Sequence, residues 1–427
     1  MEPGNRAIVR APRRELYIMS QITETLKAKP PAAKLAPHAR LVGVVSTAHF
    51  VSHLYILILA PLLPFVRDAY GVSYTQLGLA LAAFNVISAA LQTPAGFLVD
   101  WLGARILLII GLALGGIAFV LVGLVDSFWF MVAMFALAGV GNTVYHPADY
   151  ALLSQHVPAK KIGQAFSVHT FAGMLGSAAA PAGLLMLQNI WGWRGAFIGA
   201  GLVGLAVALL FLTMRDPETP VAETPARKAD DKSPVGWKLL LSAPIVLNLL
   251  FFMLIALMSG GMFNYSVVAL GALYATPVST ANAALTTLLL LSAVGVLAGG
   301  LLVTRTLRHG LVTSLGLVAM AVAAALVGQF DLGTWTLVAV MTVFGFFFGF
   351  ISPSRDMIVR EITPPGSFGK VFGFVTTGFN IGGIISPMIF GALMDTGHPS
   401  LVFLLVAAFG LIAVLTVATL PKLPAQA

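Results

Sequence analysis

Twelve apolar runs, each long enough to cross a bilayer, constrain this chain more than any other feature. A membrane-crossing helix needs about 20 apolar residues. The runs lie at 41–66, 74–99, 105–125, 128–154, 162–188, 194–214, 242–268, 280–304, 309–329, 333–358, 367–393 and 399–420, here called spans 1 to 12. Lipid offers no partner to a backbone N–H or C=O, so such runs must satisfy their own polar groups as helices. Charge supports this reading. Only 9% of the 427 residues are charged, against about 25% in a soluble domain. So few charges cannot cover a water-facing surface of this size. The expected fold class is an all-α membrane protein with twelve transmembrane helices.

Between the runs the chain is mostly short. The exception is 215–241, which begins Arg215, Asp216, Pro217, Glu218 and is rich in Pro, Lys and Asp. It reads as a flexible cytoplasmic linker between a first half at 41–214 and a second at 242–420, with a short tail at 421–427. Residues 1–40 form a basic tail with eight Lys/Arg and three acids. That tail is no signal peptide, because the first apolar run starts too late and is long enough to span. Arg6, Arg10, Arg13 and Arg14 precede Met19, and both Met1 and Met19 stay open as the start. The pI near 9.8 does not point to nucleic acid, since the basic residues sit in loops and tails. With the amino terminus inside, Arg105, Lys160, Lys161, Arg215, Arg227, Lys228, Lys232, Lys238, Arg305, Arg308, Arg360 and Lys370 fall on cytoplasmic connections, and only Arg67 and Arg194 outside. Basic residues stay inside, so both termini are expected in the cytoplasm and the protein in a bacterial inner membrane. The chain has no cysteine, which excludes disulfides, thiolate metal sites and cysteine nucleophiles.

Residues 139–187 align with 345–393 at a constant offset of 206. Pro147 meets Pro353, Gly163 meets Gly369, Phe166 meets Phe372, Thr170 meets Thr376, Gly176 meets Gly382 and Pro181 meets Pro387. Spans 4–5 thus repeat as spans 10–11, and parallel repeats about an axis along the membrane normal are one transporter plan. After span 2 the chain reads Gly96-Phe-Leu98-Val-Asp100-Trp-Leu-Gly103-Ala-Arg105. This resembles the signature between helices 2 and 3 of the major facilitator superfamily, G-x-L-x-D-x-x-G-x-R. The resemblance implies two pseudo-symmetric six-helix halves, alternating access, and a central cavity lined by spans 1, 4, 7 and 10. It also implies that Asp100 faces the amino-terminal end of span 11, near Ser367 and Gly369, where the helix dipole favours an anion. Gly96 and Gly103 are expected to permit close helix approach and a tight turn, and Arg105 to hold the loop. A decayed copy around Gly300 to His309 keeps Thr304 and Arg305 but no acid. His49-Phe50, Tyr145-His146-Pro147 and Gly173-Met-Leu-Gly176-Ser-Ala-Ala-Ala180-Pro181 resemble the fosmidomycin-resistance branch, which contains drug exporters. The chain departs from it at His53, where an acid is expected, and at Ala180, where a glycine is. Phe135 stands near the place of the span-4 arginine of many drug/proton antiporters.

Ionisable residues inside a span cost at least ~2.5–3.5 kcal/mol on insertion scales and are functional candidates by default. Ser46, His49 and His53 share a face of span 1, and Asn142, His146, Asp149 and Tyr150 a face of span 4, with Tyr145 beside it. Span 10 offers Ser352, Arg355 and Asp356, span 7 offers Ser259, Asn264 and Tyr265, and span 11 offers Asn380. The expected substrate and proton pathway is His49, His53, Asn142, Tyr145, His146, Asp149, Arg355, Asp356, Asn264 and Asn380. Histidine is the side chain most easily tuned to titrate near neutral pH, so His49, His53 and His146 are candidates for a coupling proton. His169 shares a stripe with Gly173, Gly176 and Ala180 and reads as a packing residue. Pro147 and Pro353 should kink spans 4 and 10. Trp191, Trp193 and Arg194 read as interface anchors. Asp356 and Arg360 are spaced to pair. Asp149 and Arg355, equivalent by the repeat, are candidates for a gate pair between the halves.

These features point to a secondary active transporter of a small organic solute or drug, proton-coupled, with efflux favoured. The alternative is uptake of an organic anion, with Arg355 and protonated histidines meeting its carboxylate. A receptor that lost transport is the third reading. An enzyme is not expected, as no G-x-x-x-x-G-K-[S/T], H-E-x-x-H or span-borne G-x-S-x-G occurs. The expected partners are a small-molecule substrate, protons and the lipid bilayer, with no nucleic acid, for a monomer. No catalytic residue, metal site or cofactor is expected.

Overall fold

The computed structural model describes residues 37–158, 161–213, 237–303, 305–363 and 368–418. Both tails, most of the linker, Lys160, Thr304 and Ser367 lie outside the described residues. Every regular element among those described is helical, as the lipid argument requires. Span 1 is Pro37–Ile56, a 3₁₀ turn at Ala60–Leu62 and Leu63–Tyr70. Spans 2 and 3 are Tyr74–Leu102 and Ala104–Leu124. Span 4 breaks into Phe128–Asn142 and Tyr145–His156, and span 10 into Gly333–Phe350 and Ser352–Glu361. Each break lies just before the expected proline, Pro147 or Pro353, whose ring displaces the backbone one turn back. Span 7 is Ala243–Gly260, a π turn at Gly261–Tyr265 and Ser266–Tyr274, an interruption that the sequence pattern does not announce. Spans 8, 9, 11 and 12 are Val278–Val303, His309–Gln329, Phe368–Asp395 and Pro399–Ala418.

Spans 5 and 6 run together as Ile162–Leu212, 51 residues. A straight helix of that length would be about 77 Å long, far beyond a ~30 Å hydrocarbon core. It turns back at Gly192, whose φ of 72° only glycine adopts freely. Consequently Leu187 reaches the backbone of Gly199. The two expected spans are therefore both present, joined by a single residue rather than a loop.

The packing repeats between the halves. Span 2 packs on span 4 and span 3 on the 5–6 hairpin; span 8 packs on span 10 and span 9 on span 12. Gly176 of span 5 abuts the backbone of Phe50 in span 1, and its repeat partner Gly382 abuts Met253 and Ala256 in span 7. The offset of 206 carries Phe50 onto Ala256, so the repeat extends to spans 1 and 7. The halves meet where span 2 packs on span 11 and span 5 on span 8. Adding six to each span number, counted round the twelve, turns one contact into the other.

Along the span 2–span 11 seam the halves are closed at one end. Ser73 and Gln76 form a capping box that starts span 2. The next two backbone N–H groups, of Tyr74 and Thr75, donate to the two oxygens of Asp395 at 2.7 and 2.8 Å. Beneath this cap Gly391 lies against Thr75, Gly78 against the Pro387 carbonyl, and Asn85 donates to the Gly383 carbonyl at 3.2 Å. Toward the other end, Gly96 of span 2 and Gly373 of span 11 have no described atom within 4 Å of where a side chain would begin. Among the described residues no helix approaches Gly96 closely in this conformation.

Candidate functional site

The break before Pro147 turns the second segment of span 4 so that Asp149 lies wholly buried against spans 1 and 5. Its Oδ2 stands 3.5 Å from His49 Nδ1 and 3.6 Å from His169 Nε2. The His49 and His169 rings stack with centroids 3.9 Å apart. His53 lies 4.6 Å and His146 5.4 Å from His49, centroid to centroid. His53 Nδ1 is 3.0 Å from the Ser177 hydroxyl. Two imidazoles thus flank one carboxylate, and two more border the first of them, all on membrane-spanning helices. His49 and His169 are buried, whereas His146 is exposed, as is Tyr150 on the same face. Exposed polar groups within a span face water or the bundle interior rather than lipid.

Small residues make the room. A Cβ on Gly173 would lie 2.5 Å from His49 Cδ2, 2.6 Å from its Nε2 and 3.0 Å from His53 Cδ2. The small-residue face of span 5 is therefore a slot for the span-1 imidazoles. His169 belongs to the cluster, which corrects its reading as a packing residue: its own stripe holds the slot, and only tertiary contact reveals what fills it.

Asn142 and Tyr145 are near but not among these groups. Asn142 donates to the Ser88 hydroxyl at 3.3 Å, and the buried Tyr145 hydroxyl has no hydrogen-bond partner among the described residues. In span 7 Asn264 donates to the Gly260 carbonyl at 3.3 Å, inside the π turn. The Tyr265 hydroxyl donates to Pro387 at 2.8 Å, tying that turn to span 11. Asn380 is half-buried on span 11.

Arg355 takes a different partner from the one the repeat suggested. Its Nε and Nη2 both reach Asp356 Oδ1 at 2.9 Å, and its guanidinium lies 5.0 Å from the Phe252 ring and 5.3 Å from Phe379. The Asp149–Arg355 pair is not formed in this conformation, because burial commits Asp149 to its own half. The expected Asp356–Arg360 pairing gives way to Asp356–Arg355.

In the signature loop, Gly103 has φ 88°, the tight turn expected. Arg105 donates to the carbonyls of Phe211 at 3.0 Å and Leu212 at 3.4 Å, so the cation holds the carboxyl end of span 6, where the dipole favours it. The Asp100 side chain and Ser367 lie outside the described residues, and with them the expected contact to span 11. Among the anchors, Trp191 is exposed, but Trp193 is buried with its ring 5.4 Å from that of Tyr70. Arg194 pairs with Asp126.

Known proteins fit this architecture. The chain is 25% identical over 379 residues to the hexuronate transporter of Bacillus subtilis, covering 83% of this chain and 87% of that protein. It is 30% identical over 172 residues to a probable sulfoacetate transporter of Cupriavidus necator, covering only 40% of each. It is 24% identical over 141 residues to the fosmidomycin resistance protein of Escherichia coli, covering 33% of this chain and 34% of that one. The fold is that of a bacterial homolog to the human lysosomal transporter Spinster, with a TM-score of 0.71 at 16% identity over 91% of this chain and 99% of that one. It is equally that of the nucleoside transporter NupG, with a TM-score of 0.72 at 16% identity over 90% of this chain and all of that one. A family model described as Major Facilitator Superfamily matches residues 45–278 and 249–427. With the twelve spans, the repeated packing and the Gly96-to-Arg105 signature, that match settles the family: the chain belongs to the Major Facilitator Superfamily.

Proposed function

We propose that this protein is a secondary active transporter of small organic anions, coupled to protons and working by alternating access. One observation carries the reading: four histidines and an aspartate cluster within the spans of the first half, and the related position of the second half holds Arg355. Imidazole and carboxylate side chains can exchange protons, so the cluster supplies candidate proton-carrying groups inside the bundle. Arg355 presents a planar cation that suits carboxylate or sulfonate, and Phe252 and Phe379 flank it. The names of two relatives, a hexuronate transporter and a probable sulfoacetate transporter, agree with an anionic solute.

The basic residues on the connections support a reading with both termini on the cytoplasmic side of a bacterial inner membrane. On that orientation the Asp395 cap closes the outer end and the open seam faces inward. A solute bound from the cytoplasm would leave only after the cap opens. Export of a drug is a second reading, favoured by the fosmidomycin-resistance relative and by the His49-Phe50 and Tyr145-His146-Pro147 segments.

Proteoliposomes with an imposed pH gradient test both. The expected result is accumulation of radiolabelled sulfoacetate or glucuronate that a protonophore abolishes. If no acid accumulates in either direction, the anion reading fails. Saturable, gradient-dependent export of fosmidomycin without anion accumulation would put drug efflux in its place.

A further inference from the structure

Among the described residues the buried carboxylate of Asp149 has neither oxygen hydrogen-bonded, and His49 Nδ1 and both ring nitrogens of His169 likewise have no hydrogen-bond partner. A buried charged group without donors is costly. The contacts around it are too long for strong hydrogen bonds, yet they have another natural length. Metal–nitrogen bonds of ~2.0–2.1 Å and metal–oxygen bonds of ~2.0–2.2 Å put neighbouring ligand atoms of a tetrahedral ion about 3.4 Å apart. Asp149 Oδ2 stands 3.5 Å from His49 Nδ1 and 3.6 Å from His169 Nε2, and the three ligand atoms lie within 4.8 Å of one another.

We propose that Asp149, His49 and His169 form a buried site for a divalent first-row transition-metal ion, with His146 completing it from the exposed side. The donor set decides the class of ion. Imidazole nitrogen with one carboxylate oxygen suits Zn²⁺, Co²⁺ or Ni²⁺, whereas Ca²⁺ and Mg²⁺ require oxygen cages. Both imidazoles must offer a bare nitrogen, His49 through Nδ1 and His169 through Nε2, and their stacked rings must turn apart for both in-plane lone pairs to meet one ion. The ion enters past His146, whose ring borders that of His49. The three buried ligands come from spans 1, 4 and 5 of one half, so the ion stiffens that half without tying it to the other. It also occupies lone pairs that the proposed coupling assigns to protons. Zn²⁺ therefore inhibits pH-driven transport, a consequence that rests on the proton reading, although binding does not.

The test uses the full chain in detergent with its affinity tag removed, titrated with Co²⁺ and followed by visible absorption. One Co²⁺ binds per chain, with the absorption of a tetrahedral N/O field, and Zn²⁺ displaces it. Asp149→Asn and His169→Gln bind Co²⁺ more than about 10-fold more weakly, at least the loss seen when a supporting group is removed, while melting normally without metal. His146→Gln keeps the test open should the buried variants misfold; it alters the Co²⁺ spectrum and weakens binding. No saturation below about 1 mM Co²⁺, or equal binding in all foldable variants, overturns the site. Transport by the same preparations separates the two readings. Co²⁺ binding without any pH-driven transport leaves the metal site and removes proton coupling. Transport without Co²⁺ binding does the reverse.

Discussion

Asp149 and Arg355 occupy matched places in two halves that pack alike, and their surroundings are opposites. Under the offset of 206, Ser46 corresponds to Phe252, His49 to Ile255, His53 to Ser259, His146 to Ser352, His169 to Val375 and Gly173 to Phe379. In the first half a missing side chain at Gly173 admits two imidazoles beside a carboxylate. In the second half Phe379 fills the corresponding place, and the guanidinium lies against it and against Phe252. The backbone scaffold is shared; the content of one slot decides whether it holds a titratable cluster or a fixed cation. A duplicated fold can thus keep its packing glycines, Gly176 and Gly382, while its two copies take up different chemistry.

The comparison breaks most sharply if the slot is filled. Gly173→Phe gives the first half the second half's residue, and the imidazoles have nowhere to go. Overpacking of this kind costs ~1–3 kcal/mol or more, so a clear drop in melting temperature and complete loss of transport are expected. Near-normal transport by this variant would mean that the cluster is not needed. Next in size, Asp149→Asn removes the charge and keeps the shape. Gradient-driven accumulation should fall to background while solute exchange across the membrane continues. Loss of both together would make Asp149 a structural residue. In the other half, Arg355→Lys keeps the charge but loses the planar fork and the ring contacts. Anion affinity should fall about 10-fold, ~1.4 kcal/mol, with gradient coupling intact. Unchanged affinity would take Arg355 out of the solute site.

The smallest effect belongs to the seam. Asp395→Asn weakens the cap on span 2 by about 1 kcal/mol, which shifts the balance toward opening of the closed end. Because the chain has no cysteine, a single cysteine at Leu81 reports that opening by its labelling rate. An unchanged rate would show that the apolar seam alone keeps this end shut.

Much of this was legible in the residues. The span positions follow from hydropathy, because lipid leaves the backbone no alternative to helix. The breaks in spans 4 and 10 follow from Pro147 and Pro353, which act on their own backbone. Periodicity put His146 and Asp149 on one face of span 4 and His49 on span 1, but it could not show that His169 joins them, since that depends on how span 1 seats against span 5. The partner of Arg355 was hidden for the same reason: symmetry pointed to the other half, and the adjacent Asp356 was nearer. The Asp395 cap had a visible cue. Gly391-Ala-Leu393-Met-Asp395 repeats the spacing of Gly96-Phe-Leu98-Val-Asp100, at the far end of the partner span. Its meaning needed the fold, because only there does the carboxyl end of span 11 meet the amino end of span 2.

The one-residue turn at Gly192 bears on how the molecule can be handled. Spans 5 and 6 meet with no slack, and their registry is fixed by Leu187 against Gly199. An epitope or fluorescent protein spliced there would have to unwind helix on both sides. A linkage with non-helical residues of its own, such as Thr306 to Arg308 between spans 8 and 9, offers a place where foreign sequence can leave the bundle without disturbing its registry.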